Sequence, residues 1–232
     1  MDGFLCTLKT YKLYAQKQEI IHLLGGKMDA IFLDIDGTLW DSTHIVSDAW
    51  NEVLSKKPEI DLVITPELLK TLFGKPLSEI AAAIFKDFPK EKQIELIDEC
   101  CEREHEYLDT RPGIIFEGVV ETIQELAKKY PICIVSNCEA GYIELVCDKL
   151  GIKDCIKDGE CPGYSGLGKG DNIKLVMERN GYKDIVYVGD TQGDYEATRK
   201  AGVPFVFCKY GFGKPDGYEF SVEKFSELLD LF

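Results

Sequence analysis

Short apolar runs that stop on polar residues, separated by helix-like stretches, constrain this chain most. Ala30-Ile31-Phe32-Leu33 ends in Asp34, Ile132-Cys133-Ile134-Val135 ends at Ser136, and Ile185-Val186-Tyr187-Val188 ends at Gly189-Asp190. Continuous apolar runs of this length suit strands covered on both faces. Val203 to Cys208 reads as a fourth strand and Cys155-Ile156 as a shorter fifth. Helical spacing fills the gaps. In Glu117 to Tyr130, residues Val120, Ile123, Ala127 and Tyr130 share one face; Gly141 to Leu150, Asp171 to Asn180, Gly193 to Ala201 and Ser221 to Leu231 follow. Strands alternating with helices predict an α/β fold with a parallel sheet and right-handed crossovers.

Residues 44–110 break the alternation, because they hold no comparable strand. They read as helices over Val46 to Ser55, Pro66 to Leu72, Leu77 to Phe85 and Glu91 to Leu108. The expected organisation is therefore a core of residues 28–43 and 111–232, with an all-helical cap of residues 44–110 inserted in it. The acids of the last cap helix read as its solvated face. His105, on the face of Ile94, Ile97, Cys101 and Leu108, reads as a packed histidine.

Residues 1–27 differ from the remainder, carrying a net charge of +2 against −16. Gly25-Gly26-Lys27 is encodable by a purine run resembling a bacterial ribosome-binding site, which makes Met28 a candidate start. The alternative is an N-terminal helix docking through Leu13, Ile20, Ile21 and Leu24.

The net charge of −14 opposes binding to nucleic acid or an acidic membrane surface, both of which need a basic face. No apolar run approaches the roughly 18 residues of a spanning helix. The nine cysteines lack metal-ligand spacing and several lie in apolar stretches, which fits reduced, buried thiols in a cytoplasmic protein.

In open parallel sheets, ligands bind beyond the carboxyl ends of the strands. Here those ends carry Asp34-Ile35-Asp36-Gly37-Thr38, Ser136-Asn137 and Gly189-Asp190-Thr191-Gln192-Gly193-Asp194. Converging carboxylates repel one another unless a cation lies among them, and hard oxygen ligands suit Mg²⁺. Asp34 and Asp36, two apart on an extended chain, point the same way. A close pair has its protonation split, so that one acts as nucleophile and the other as acid and base. Gly37 allows backbone amides to approach an anion.

Asp34-x-Asp36-Gly37-Thr38-Leu39, Ser136, Lys169 and Gly189-Asp190-x-x-x-Asp194, in that order, resemble the four-motif signature of haloacid dehalogenase-superfamily phosphatases. The branch most resembled is that of phosphoglycolate phosphatase and β-phosphoglucomutase, with a Rossmann-like core and a helical cap. The resemblance implies an Mg²⁺-dependent phosphatase acting on a small phosphorylated metabolite. Asp34 would form an aspartyl-phosphate. Asp36 would protonate the leaving alcohol and then activate water. Asp34, the backbone carbonyl of Asp36, and Asp190 would hold Mg²⁺, with Asp194 supporting it. Gly37, Thr38, Ser136 and Asn137 would hold phosphate oxygens, and Lys169 would balance charge.

Gly168-Lys169-Gly170 departs from the frequent Gly-Lys-Pro of the third motif, which leaves Lys174 as a rival. Gly74-Lys75-Pro76-Leu77 resembles the cap loop that reaches the active site in this branch, and its rival reading is a plain interhelical turn. In the first reading Lys75 meets an anionic far end of the substrate. Trp40 and His44 are candidates to face the cleft, while Asp41-Ser42 are placed to cap the next helix. Gly163-x-x-x-x-Gly168-Lys169-Gly170 nearly matches a P-loop, but Gly170 stands where the Mg²⁺-binding hydroxyl belongs. Asp36 disfavours dehalogenation, which needs no leaving-group acid there. A phosphomutase acting on a sugar phosphate shares every motif and remains the alternative function. A catalytically dead interaction module is disfavoured because no motif carboxylate is missing. Composition leaves the oligomeric state open.

Overall fold

The computed structural model describes residues 14–16, 19 and 27–232. The expected helix contacts at Leu13, Ile20, Ile21 and Leu24 lie outside the described residues. Gln16 is buried, and its side-chain oxygen accepts from the Ser221 amide at 2.9 Å.

The strands are β1 (Ala30–Leu33), β2 (Trp40–Asp41), β3 (Ile114–Ile115), β4 (Ile132–Val135), β5 (Ile156–Glu160), β6 (Ile185–Gly189), β7 (Phe205–Cys208) and β8 (Phe220–Val222). Six of them form one parallel sheet in the order β5-β4-β1-β6-β7-β8. The first strand lies in the middle and the chain winds outward in both directions, which is the Rossmann-like order. Alternate side chains feed two cores: Ile31, Leu33, Val186 and Val188 on one face, Ala30, Phe32, Ile185 and Tyr187 on the other.

The helices are α1 (Thr43–Ser55), α2 (Pro66–Leu72), α3 (Leu77–Ile84), α4 (Lys90–Thr110), α5 (Val119–Ala127), α6 (Tyr142–Leu150), α7 (Pro162–Ser165), α8 (Lys169–Asn180), α9 (Gln192–Ala201) and α10 (Leu228–Leu231). The four helices α1–α4 make up the helical cap. The antiparallel pair β2–β3, with Trp40 opposite Ile115, joins the two chain crossings between core and cap.

Two expectations change. The helix expected over Ser221 to Leu231 is instead β8, a short 3-10 turn over Phe225–Glu227, and α10. Phe220 and Val222 bury against the core only as an extended segment alongside β7. The acidic face of the last cap helix is also not wholly solvated. Glu104 is 8% exposed, on the stripe of Ile97, Cys100, Cys101 and Leu108 that packs on α1.

Candidate active site

β1 lies between β4 and β6, with Leu33 paired to both Ile134 and Val188. The residues that follow each strand therefore emerge side by side, at the point where the chain's winding reverses. They are Asp34, Ser136 and Asp190. Lys169, the first residue of α8, reaches in from the side. Its Nζ donates to Asp34 Oδ1 at 2.9 Å and to Asp194 Oδ1 at 2.6 Å, and it is 4% exposed. Burial opposes its charge, but Asp194 and Asp34 outweigh burial and raise its pKa. Lys174 is exposed, and it is Lys169 that contacts Asp34 and Asp194.

Asp194 is fixed by its neighbours. Its Oδ2 accepts from the Asp190 and Thr191 amides at 3.1 and 2.9 Å, and from Thr191 Oγ1 at 2.8 Å. The Thr191 hydroxyl oxygen in turn accepts from the Asp194 amide, closing the N-terminus of α9. Asp194 thus anchors Lys169 while capping its own helix.

Asp34, Asp190 and Asp194 each place an oxygen within 4.8 Å of the others, all three buried. One lysine cannot neutralise three carboxylates in a site with little water to screen them. Burial, then the charge of Asp194, raises Asp34 to about 6; burial, Asp194 and Asp34 raise Asp190 well above the carboxylate range. The surrounding backbone is built close to Asp190. A Cβ on Gly37, at φ +83°, would lie 2.2 Å from Asp190 Oδ2, and one on Gly211 would lie 2.3 Å from the Asp190 Cβ. The Phe212 amide donates to Oδ2 at 2.7 Å. A hard, oxygen-only donor set with excess negative charge fits Mg²⁺.

Asp36 has a different environment. Trp40 Nε1, Ser42 Oγ and Tyr142 Oη all donate to its Oδ1, at 3.1, 2.6 and 3.0 Å. Its Oδ2 takes none of these bonds. Burial raises the carboxyl to about 7, against the lowering effect of Ser42 and the other donors. Trp40 therefore reaches the site through its indole N–H. Ser42 serves Asp36 rather than the helix end, and Asp41 Oδ1 accepts from the Thr43 amide at 3.0 Å instead. His44 is exposed and takes no part.

A cavity of ≈ 50 Å³ opens between core and cap, lined by Asp34, Asp36, Ser136, Asn137 and cap residues including Lys75. The cap turn rests on the core. The Gly74 carbonyl accepts from Asn137 Nδ2 at 2.8 Å, and Gly74, at φ +85°, lies so close to Thr191 that a Cβ would come within 2.8 Å of it. Lys75 is exposed at this turn and has no ion-pair partner among the described residues. Gly37 and Thr38 do not reach the lining. Their amides donate to the Trp40 and Ile35 carbonyls, and the Thr38 hydroxyl donates to Asp190 at 3.3 Å. Both residues lie against Asp190.

Three features escaped sequence reasoning, the first being the Tyr142 hydroxyl that holds Asp36. Glu104 lines the cavity and accepts from Trp50 Nε1 at 2.9 Å, and burial, with the charge of Asp36, raises it to about 8. Its signal was its place at i+3 and i+4 from Cys101 and Cys100. The Tyr210–Gly213 loop packs over Asp190, and Gly-x-Gly at a strand end was the signal available there.

The family model for haloacid dehalogenase-like hydrolases matches residues 30–208. The chain belongs to that family. The matched span of this haloacid dehalogenase-like hydrolase contains all four strand-end aspartates and Lys169, while β8 and the Phe212 loop lie beyond it. The phosphoglycolate phosphatase of Shigella boydii is 25% identical over 158 residues, covering 66% of this chain. The chain spans 60% of the length of that relative. The phosphoglycolate phosphatase of Photorhabdus laumondii is 26% identical over 224 residues, covering 86% of this chain and 90% of its own. Among solved structures, a haloacid dehalogenase-like family hydrolase from Streptococcus pneumoniae superposes with a TM-score of 0.73. It is 20% identical and the match covers 87% of this chain and 97% of that one, which supports the shared fold.

Proposed function

We propose that this protein is a phosphatase that hydrolyses a small phosphate monoester through a phosphoryl group carried on Asp34. The observation that carries the reading is the division of labour between two aspartates on one loop. Asp34 is held by Lys169 beside Asp190 and Asp194, whereas Asp36 is held by three donors on one oxygen, with the other left for proton transfer.

A carboxylate of Asp34 attacks phosphorus as the bond to the leaving alcohol breaks, and protonated Asp36 donates its proton to the alcohol oxygen. Asp36, now ionised, takes a proton from water as that water attacks phosphorus. The bond to Asp34 breaks and inorganic phosphate leaves. A pKa near 7 suits a group that must give and then take a proton near neutral pH. Ser136 would hold phosphate oxygens and Lys169 would balance charge at Asp34, which both contact. Asn137 holds the cap turn, and Lys75 guides the anionic ester at the mouth of the cavity. Asp34, Asp190 and the Asp36 carbonyl would hold Mg²⁺, braced by Asp194, and the ion would supply positive charge to the phosphoryl oxygens.

The buried free thiols fit a reducing compartment such as the cytoplasm, where disulfides rarely form. No described helix is long and apolar enough to cross a membrane. The test of the reading is phosphate release from a panel of small phosphoesters with Mg²⁺. Release that is lost in Asp34→Asn supports it. Isomerisation of a sugar phosphate without net release would replace hydrolysis with the mutase reading.

A further inference from the structure

The cavity continues past Asp36 into the cap, where a leaving group would lie if the site is the phosphatase proposed above. Beyond Asp36 its wall is Trp50, Ile80, Cys101, Glu104, His105 and Tyr142. Besides Glu139, which also lines the cavity, and the Tyr142 hydroxyl, which is engaged by Asp36, this wall is polar at two points. His105 stacks on Tyr142 at 5.9 Å, and burial lowers its pKa below the ordinary histidine value, which favours the neutral ring. Glu104 is the other. Trp50 Nε1 fixes its Oε2 at 2.9 Å, while its Oε1 takes no hydrogen bond from the described residues. The residue is more than nine-tenths buried and lines the cavity. Lys169 is already engaged by two aspartates, and Lys75, exposed at the mouth, is screened by water.

We propose that Glu104 selects a leaving alcohol bearing a hydrogen-bond donor, a hydroxyl or an ammonium, and rejects one bearing a carboxylate. The proposal rests on the hydrolytic reading and names the substrate class for it. Glu104 Oε1 accepts a donor whichever proton state the side chain holds. An ammonium, by its own charge, also favours the ionised form of Glu104 and so gains a charge partner, which makes the bond stronger than a neutral one. A substrate carboxylate receives at most one hydrogen bond here and no cation, and it enters a buried wall that already holds Glu104 next to Asp36. A charge-assisted bond of this kind is worth roughly 10-fold or more in kcat/KM. This separates the chain from its relatives named for phosphoglycolate, whose leaving group is a carboxylate-bearing alcohol.

The experiment compares four short esters with Mg²⁺: phosphoglycolate, hydroxyethyl phosphate, aminoethyl phosphate and ethyl phosphate as the reference without a polar end. Phosphate release is measured for the wild type and for Glu104→Gln, whose amide oxygen can still accept from Trp50. The wild type is expected to favour a donor-bearing ester over phosphoglycolate by roughly 10-fold or more in kcat/KM. Glu104→Gln should shrink that advantage by a similar factor. Phosphoglycolate as the best wild-type substrate, or a ratio unchanged in Glu104→Gln, would overturn the proposal while leaving hydrolysis intact. No phosphate release from any of the four esters or from p-nitrophenyl phosphate would instead overturn the hydrolytic reading, and this proposal with it.

Discussion

Replacing Tyr142 by Phe removes one of the three donors on Asp36 Oδ1, a bond of 3.0 Å, and leaves the ring in place. That hydroxyl is buried with the rest of the side chain, and it stabilises the ionised form of Asp36. A hydrogen bond to a charged group contributes ~1.5–3 kcal/mol, and each pKa unit corresponds to ~1.4 kcal/mol. Complete loss would raise Asp36 by ~1–2 units, and sharing by the Ser42 and Trp40 donors brings the expected rise to ~1 unit. The sign follows from the chemistry. Asp36 must enter the cycle protonated, so kcat/KM falls as pH rises through its pKa, about 7 in the intact protein. In Tyr142→Phe that alkaline limb should move up by ~1 unit. Ser42→Ala removes the shortest of the three bonds, 2.6 Å, and should move the limb the same way by at least as much. The assay is phosphate release against pH at fixed Mg²⁺, with thermal melting to confirm folding. A limb that stays in place, or moves to lower pH, would refute the assignment of Asp36 as the acid.

Turnover should vanish on exhaustive chelation and return with Mg²⁺, and Mg²⁺ should raise Tm by less in Asp190→Asn than in the wild type, because Asp190 belongs to the buried carboxylate cluster. Lys75→Ala should lower kcat/KM by less than ~5-fold on all esters alike, as expected of an exposed, screened charge; a larger loss confined to one ester would make Lys75 the reader of its far end. Asp29 accepts from the Lys183 and Asp184 amides, which hold its carboxyl down at about 2. Its folded-state pKa is depressed, so its stabilisation is present above the unfolded value, ~3.9, and is lost as pH falls toward about 2. Denaturant melts of Asp29→Asn should therefore show a deficit at neutral pH that narrows over that acid window.

The strands most legible in sequence were those whose side chains are buried on both faces, because burial removes the need for polar residues and leaves a continuous apolar run. β1, β4, β6 and β7 are of this kind. β8 escaped because Phe220-Ser221-Val222 is too short to show a period, and the apolar residues after it mimic a helix. Asp34, Asp36, Ser136, Asp190 and Asp194 follow strand ends, so their convergence was implied once the sheet was. What Gly37 and Thr38 do was not legible. Their amides looked available for phosphate, but local turn bonds to Ile35 and Trp40 take them, and their visible task is to shape the space around Asp190. Glu104 was hidden by its charge. In a helix with many exposed acids, only its place on the apolar stripe distinguished it, and its partner Trp50 lies 54 residues away.

The central claim is that Asp34 carries the phosphoryl group. A rapid acid quench of turnover with a phosphorus-labelled phosphoester, followed by peptide mapping, tests it directly. The label should appear on the peptide containing Asp34, with the lability of an acyl phosphate, and should be missing in Asp34→Asn, which should also lose turnover. Label on any other residue, or wild-type turnover in Asp34→Asn, would contradict the account.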